Sequence, residues 1–351
     1  MSYTHWGDSI IGSPDDEYSD ERVLGFASDG YCVVGASVRG KMHIRNEVPR
    51  EDAVAVYRTR RWVAVAVSDG VGSSKYSRLG ASFAVNRVCE NLLDQIGEIG
   101  SPRKGARQWL SREAEPGQEQ LEGAVWQGLR NAAHGLKKHA ESLSKTVGCR
   151  EGTDIGDSPE SVAVGTAEEP GADETAEETI QTEVSSAQRT ELSPGHTTLA
   201  VEDLHCTLLA LILNLKTGTM ALAQVGDGLI LGLTGGLNAV PLIDPQVPGQ
   251  TGQTYVITQK DWDQYCSVRI IPGDLSQEYA TVYLMTDGVA DDCQHGPPED
   301  ILQRWAKDMD SEIRRYDVET TKERLRGYLT DYQAKGSYDD RTLVAVYRSR
   351  T

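Results

Sequence analysis

The apolar residues of this chain follow two rhythms, interrupted by one long stretch that has neither. Short and almost unbroken apolar runs recur at Val23–Ala27, Tyr31–Ala36 (YCVVGA), Val54–Tyr57 and Trp62–Val67 (WVAVAV). They return at His205–Leu215 (HCTLLALILNL), Thr219–Val225, Leu229–Leu233, Thr254–Thr258, Thr281–Met285 and Leu343–Tyr347. Runs of this length, rich in Val, Leu and Ile, predict strands buried on both faces. From Ser77 the spacing changes to three and four residues: Val85, Val88, Leu92 and Ile96 share one stripe, and Ser77 is placed to cap the helix. The same period covers Gln118–Leu143 through Leu121, Val125, Leu129, Ala132 and Leu136, and a further helical stretch spans Pro298–Ala334. Short connections such as Lys216-Thr217-Gly218 favour antiparallel pairing. Strands, helices, strands, helix and strand in that order predict an α+β fold. It is a four-layer α-β-β-α sandwich, with two packed antiparallel sheets flanked by helices.

The stretch without a rhythm runs from about residue 150 to 194 and consists of Glu, Ala, Thr, Ser, Gly and Asp. It carries twelve acids against the single base Arg189, so −11 of the chain's formal charge of −18 lies there. A segment this polar buries too little apolar surface to offset its own ordering entropy. It reads as a disordered acidic insertion in one domain spanning 21–350, preceded by an N-terminal extension of residues 1–20. The insertion is either a solvated linker or a docking arm for a basic partner. The remaining acidic balance repels phosphate backbones and anionic lipid, which argues against nucleic-acid and membrane partners. Six scattered cysteines without a C-x-x-C pair signal neither zinc nor a disulfide framework. With no apolar run near the roughly eighteen residues that span a bilayer, the expected location is cytoplasmic.

The candidate chemistry lies in aspartates that end strands. Asp69-Gly70, Asp227-Gly228 and Asp287-Gly288 each follow an apolar run, and Asp339-Asp340 precedes the last one. Asp-Gly is also an ordinary hairpin dipeptide, and Asp29-Gly30, between two strand-like runs, reads as a simple turn. Asp69 and Asp287 differ, because each leads out of a strand without an immediate return. Several acids brought together at one edge of a sandwich are costly unless a cation sits among them. All-oxygen ligation points to Mg²⁺ or Mn²⁺.

Five blocks in this order, GASVRGKMHIRNEVPREDAVAVY, VAVSDGVGSSKYSRLGASFAV, HTTLAV with ALAQVGDGLILGL, VYLMTDGVAD and SYDDRTLVAVY, resemble the metal-dependent serine/threonine protein phosphatases of the type 2C class. The second block is similar to a bacterial branch of that family. The resemblance implies that Asp69 bridges two metal ions, that the Gly70 carbonyl ligates one of them, and that Asp287 and Asp339 hold the other. It implies that Asp227 helps hold a weaker third ion, and that Glu51 and Asp52 act mainly through metal-bound waters. The implied reaction is attack of a hydroxide, bridging two ions roughly 3.5–4 Å apart, on a phosphoserine or phosphothreonine. The implied partner is a phosphorylated protein substrate, with a cognate serine/threonine kinase as a further candidate.

The chain departs from the family pattern in several places. Val71 stands where eukaryotic members carry a general-acid His, and His43 and His196 are the histidines in matching blocks. Glu47 stands where the phosphate-clamping Arg is expected, which leaves Arg45 as the nearest candidate and Arg50 as the runner-up. Gly228 replaces a Ser and Asp340 an Asn, with no loss of a ligand carboxylate. A pseudophosphatase that binds a kinase, and a phosphatase of a small phosphorylated metabolite, are alternatives with the same fold.

Overall fold

The computed structural model describes residues 3–13, 16–99, 116–150, 199–244, 248, 253–273, 278–294, 298–331 and 338–349. The acidic segment 151–194 and His196 lie outside the described residues. Two antiparallel six-stranded sheets form the centre. The first has the order β1 (Thr4–Gly7), β4 (Ala53–Arg58), β5 (Trp62–Ser68), β6 (Leu208–Asn214), β7 (Met220–Val225) and β10 (Ser267–Ile271). The second has the order β2 (Glu21–Ser28), β3 (Tyr31–Val38), β12 (Arg341–Arg348), β11 (Tyr279–Met285), β8 (Leu229–Thr234) and β9 (Ala239–Pro241). Outside the first sheet pack α2 (Ser77–Ile99) and α3 (Gln118–Arg150). Outside the second pack α4 (Asp287–Gln294), α5 (Pro298–Ile313) and α6 (Val318–Asp331). This is the expected four-layer α-β-β-α sandwich.

The strands sort their residues by size rather than polarity. Val54, Val56, Val63, Val65, Val67, Leu209, Leu211 and Leu213 face the opposing sheet, where they meet Leu24, Phe26, Val33, Val282, Leu284, Val344 and Val346. The alternate positions Ala53, Ala55, Ala64, Ala66, Ala210, Ala221 and Ala223 face α2 and α3. Branched side chains fill the gap between sheets, and alanines let the helices approach closely. Period two survives as a change of volume on strands that are buried on both faces.

Several local expectations are corrected. Thr254–Thr258 is not a strand. Its apolar residues are buried from a loop, Ile257 packing beneath the helices and donating its N–H to Cys206 O at 3.1 Å. The edge strand is instead Ser267–Ile271, paired with β7. The stretch expected as one helix over Pro298–Ala334 is broken after Ile313, and Asp317 restarts it by accepting Thr320 N–H at 2.9 Å. Ser77 opens α2 but does not cap it, because its hydroxyl donates to Glu51 Oε1 at 2.7 Å. A short helix that the apolar pattern does not announce, α1 (Lys41–Arg45), follows β3. Nor do the first twenty residues stand apart: β1 pairs with β4, and the buried Asp8 lies 2.7 Å from Arg50 Nη2. Asp29-Gly30 is the expected turn, with both residues at positive φ. Cys32, Cys89, Cys206 and Cys266 are free and buried. Among the described residues no helix is long and apolar enough to cross a membrane.

Candidate metal centre

Strand register places the acids. Ala53 faces Ser68 across β4 and β5, so one step beyond the ladder Asp52 stands opposite Asp69. Leu229 faces Met285 across β8 and β11, which sets Asp227 opposite Asp287 two steps further on. β12 begins at Arg341, beside both β3 and β11, and delivers Asp339-Asp340 to the same edge. Two sheets and six strands therefore end their ladders around one volume.

Each acid is held by identifiable contacts. Asp69 donates its N–H to Thr207 Oγ1 at 3.0 Å and accepts Thr207 N–H on its carbonyl at 2.9 Å, and Gly70 bridges to Cys206. Asp340 is the organiser: Oδ1 accepts Gly40 N–H at 2.6 Å, and Oδ2 accepts Glu51 N–H at 2.5 Å and Asp52 N–H at 3.3 Å. Asp52 Oδ2 accepts hydroxyls from Thr286 at 2.9 Å and Thr342 at 2.6 Å, and Thr342 in turn contacts Ser37. Gly288 is required by close approach, since a Cβ there would lie 2.0 Å from the Asp340 carbonyl oxygen.

The electrostatics call for a cation. Burial, then Asp287, Asp52 and Asp339, push the Asp69 carboxyl well above the ordinary range. Burial, then Asp227, Asp339 and Asp52, do the same to Asp287. Asp52 is pushed up to about 7 by burial and Asp340. Glu51 and Asp227 are raised as well, chiefly by burial. Asp52 stands opposite Asp69 and its charge adds to the rise at Asp69, so the pair calls for a proton or a cation between them. Asp52 Oδ1 and Asp227 Oδ1 are buried with no donor among the described residues. Orphaned carboxylate oxygens fit hard divalent ions such as Mg²⁺ or Mn²⁺, and among the described residues His43, Asp339 and Asp340 bring possible ligand atoms within 4.8 Å of one another.

The sequence-nominated residues thus divide. Asp69, Gly70, Asp287, Asp339, Asp52, Glu51 and Asp227 gather at this edge. Arg50 does not serve as a phosphate clamp: its guanidinium is fully buried, donating to Asp8, Ser37 Oγ and the carbonyls of Ser19 and Asp52, and stacked on Tyr18. Arg45, at the end of α1, is exposed and makes no hydrogen bond or ion pair with the described residues. Val71 donates its backbone N–H to His205 O and presents no acid side chain. The residue whose place sequence reasoning missed is His43. Its Nδ1 is 3.0 Å from Asp340 Oδ1, and its Nε2 is 3.6 Å from Asp339 Oδ1 and 3.9 Å from Glu51 Oε2. The Asp340 carboxylate against Nδ1, joined by the charges of Asp339 and Glu51, outweighs burial and raises its pKa to about 9, although Nδ1 makes no hydrogen bond of good geometry among the described residues. The spacing to Glu51, eight positions on, gives no such signal, and Asp339 and Asp340 lie almost three hundred positions away.

The family model described as Protein phosphatase 2C matches residues 39–330, and the chain belongs to that family. Among solved structures, serine-threonine phosphatase 2C from Toxoplasma gondii is 14% identical, with a TM-score of 0.49 and 99% of each chain covered. The serine/threonine phosphatase Stp1 from Staphylococcus aureus is 11% identical, with a TM-score of 0.47, covering 95% of this chain and 96% of that one. The catalytic domain of the serine threonine protein phosphatase PstP, in complex with two manganese ions, is 13% identical, with a TM-score of 0.40, covering 91% of this chain and 99% of that one. No curated protein matches the chain.

Proposed function

We propose that this protein is a cytoplasmic phosphatase that removes phosphate from phosphoserine or phosphothreonine in proteins, using two Mg²⁺ or Mn²⁺ ions and a weaker third at Asp227. The observation that carries the reading is the gathering of Asp52, Asp69, Asp227, Asp287 and Asp339 at adjoining strand ends, where Asp52 Oδ1 and Asp227 Oδ1 are buried with no donor among the described residues. Bound there, the ions would acidify a water to serve as nucleophile and offset charge on the phosphoryl oxygens.

The chain's own residues supply position. Asp69 with the Gly70 carbonyl, and Asp287 with Asp339, would hold the two ions. Asp52 and Glu51 orient water, each fixed through Asp340 and, for Glu51, through Ser77. Arg45, exposed at the end of α1, would clamp the phosphoryl oxygens. A protein substrate is favoured over a small metabolite by the rim. Of the five large apolar side chains exposed among the described residues, Met42, Ile44 and Tyr338 flank His43 and Asp339, and Met42 N–H donates to Tyr338 O. An exposed apolar cluster beside a reaction centre suits a polypeptide.

Purified protein with Mn²⁺ should hydrolyse a phosphothreonine peptide with a higher kcat/KM than small phosphorylated metabolites, and EDTA should abolish turnover. Asp69→Asn should lower kcat by more than about a hundredfold, beyond what loss of a supporting residue costs. Undiminished turnover by that variant, or in EDTA, sinks the proposal.

A further inference from the structure

The His43 imidazole occupies an unusual place. Its helix α1 is clamped to the strand end that carries the acids: Gly40 N–H donates to Asp340 Oδ1 at 2.6 Å, and Met42 N–H donates to the Tyr338 carbonyl at 2.9 Å. The ring is mostly covered, with 12% of its side chain exposed. Nδ1 sits 3.0 Å from Asp340 Oδ1, and Asp340 cannot turn away because both its oxygens accept backbone N–H groups. The contact is a close approach of charges, since Nδ1 makes no hydrogen bond of good geometry among the described residues, and it turns the other ring nitrogen toward the remaining acids.

What the other nitrogen faces decides its role. Nε2 lies 3.6 Å from Asp339 Oδ1 and 3.9 Å from Glu51 Oε2. Both separations are too long for a hydrogen bond. Two ligand atoms each about 2.1 Å from one ion are separated by about 3 Å when adjacent and about 4.2 Å when opposite. Both distances fall inside that span. Glu51 Oε1 is taken by the Ser77 hydroxyl, which leaves Oε2 as its free oxygen.

We propose that His43 is itself a metal ligand, giving Nε2 to a cation shared with Asp339, while Glu51 acts through a water on that cation and Asp340 lies against Nδ1. The assignment rests on the metal-dependent reading of the site and revises the all-oxygen ligand set expected from the sequence. An imidazole shifts a carboxylate site away from Mg²⁺ and toward Mn²⁺ and later transition ions. The proton that the acids keep on the ring without metal leaves when the ion binds.

Pulsed EPR of the full-length protein loaded with Mn²⁺ tests this directly, because a bound imidazole nitrogen modulates the echo whether or not the enzyme turns over. The expected result is ¹⁴N modulation that is lost in His43→Gln and in His43→Asn. The Asn amide keeps a donor toward Asp340 and so guards against misfolding. Both variants should still bind Mn²⁺ through the carboxylates, with the preference for Mn²⁺ over Mg²⁺ reduced by about tenfold or more. Mn²⁺ bound without ¹⁴N modulation in the native protein, or modulation retained in both variants, overturns the His43 assignment alone. Failure of the native protein to bind Mn²⁺ at millimolar concentration overturns the metal reading and this assignment with it.

Discussion

Asp8 and Arg50 form an ion pair with no exposed side-chain surface, and the pair holds together more than itself. Arg50 donates to the carbonyl of Asp52 and to Ser37, whose hydroxyl leads through Thr342 to the Asp52 carboxylate. Burial alone would raise the Asp8 pKa, but Arg50, the Val54 N–H and Arg22 outweigh it and hold the carboxyl below the ordinary range. A depressed acid stabilises the fold above its unfolded pKa, so this contribution is intact at neutral pH and is lost only in strong acid. Asp8→Asn leaves a buried guanidinium uncompensated and should cost about 3–5 kcal/mol in urea denaturation, while Asp8→Asn with Arg50→Met recovers most of it. The site acids have the opposite sign. Asp52 is raised from 3.8 to about 7, and His43 from 6.5 to about 9. The native state then holds more protons than the unfolded one, and stability falls as pH rises through those windows. In EDTA the Tm should therefore drop between pH 5 and 8. Added Mn²⁺ should raise the Tm and flatten the slope. A Tm that does not respond to Mn²⁺ at pH 8 would count against cation binding here.

At the scale of elements, the site is made by strand ends meeting, and its tightest point is the contact between α4 and β12. A Cβ at Gly288 would meet the Asp340 carbonyl oxygen at 2.0 Å, backbone against side chain, with no flexible group to yield. Gly288→Ala must therefore push the start of α4 away from β12, and Asp287 moves with it. The expected outcome is a loss of kcat of about a hundredfold, since misplacement by an ångström is enough for that. Circular dichroism should remain native, because the sheets are packed elsewhere. Full activity in Gly288→Ala would show that the approach is looser than described. The sizes along the strands carry a parallel lesson. WVAVAV announces a buried strand, but only the packed layers show that its valines face the other sheet and its alanines the helices.

At the scale of the whole molecule, the acidic segment lies in chain order between α3 and the strands that complete the first sheet. Ser144 on α3 donates its hydroxyl to the Leu199 carbonyl at 2.9 Å, although the two are fifty-five positions apart. The contact ties α3 to the residue at which the described chain resumes, and we propose that the insertion is a linker within a single domain. Deleting residues 152–194 should keep the fold and the generic phosphatase activity. Shortening that loop severalfold should add about 1 kcal/mol of stability. A collapse of either property on deletion would mean that the segment packs on the core.

Much of this protein was legible before any coordinates. Apolar runs of strand length, helical stripes and one polar interruption determined the layers, because burial periodicity is a local property that each segment carries by itself. Asp69, Asp227, Asp287 and Asp339 were nominated by their positions at the ends of those runs. The loop at Thr254–Thr258 misled for the same reason, since an apolar stretch can be buried without joining a ladder. What the sequence could not contain was adjacency. That Asp340 holds Gly40, Glu51 and Asp52, that Asp8 locks Arg50 away from phosphate, and that His43 points between Asp339 and Glu51 depend on strand register and sheet packing. These bring together groups from eight to three hundred residues apart, and only tertiary structure sets their distances.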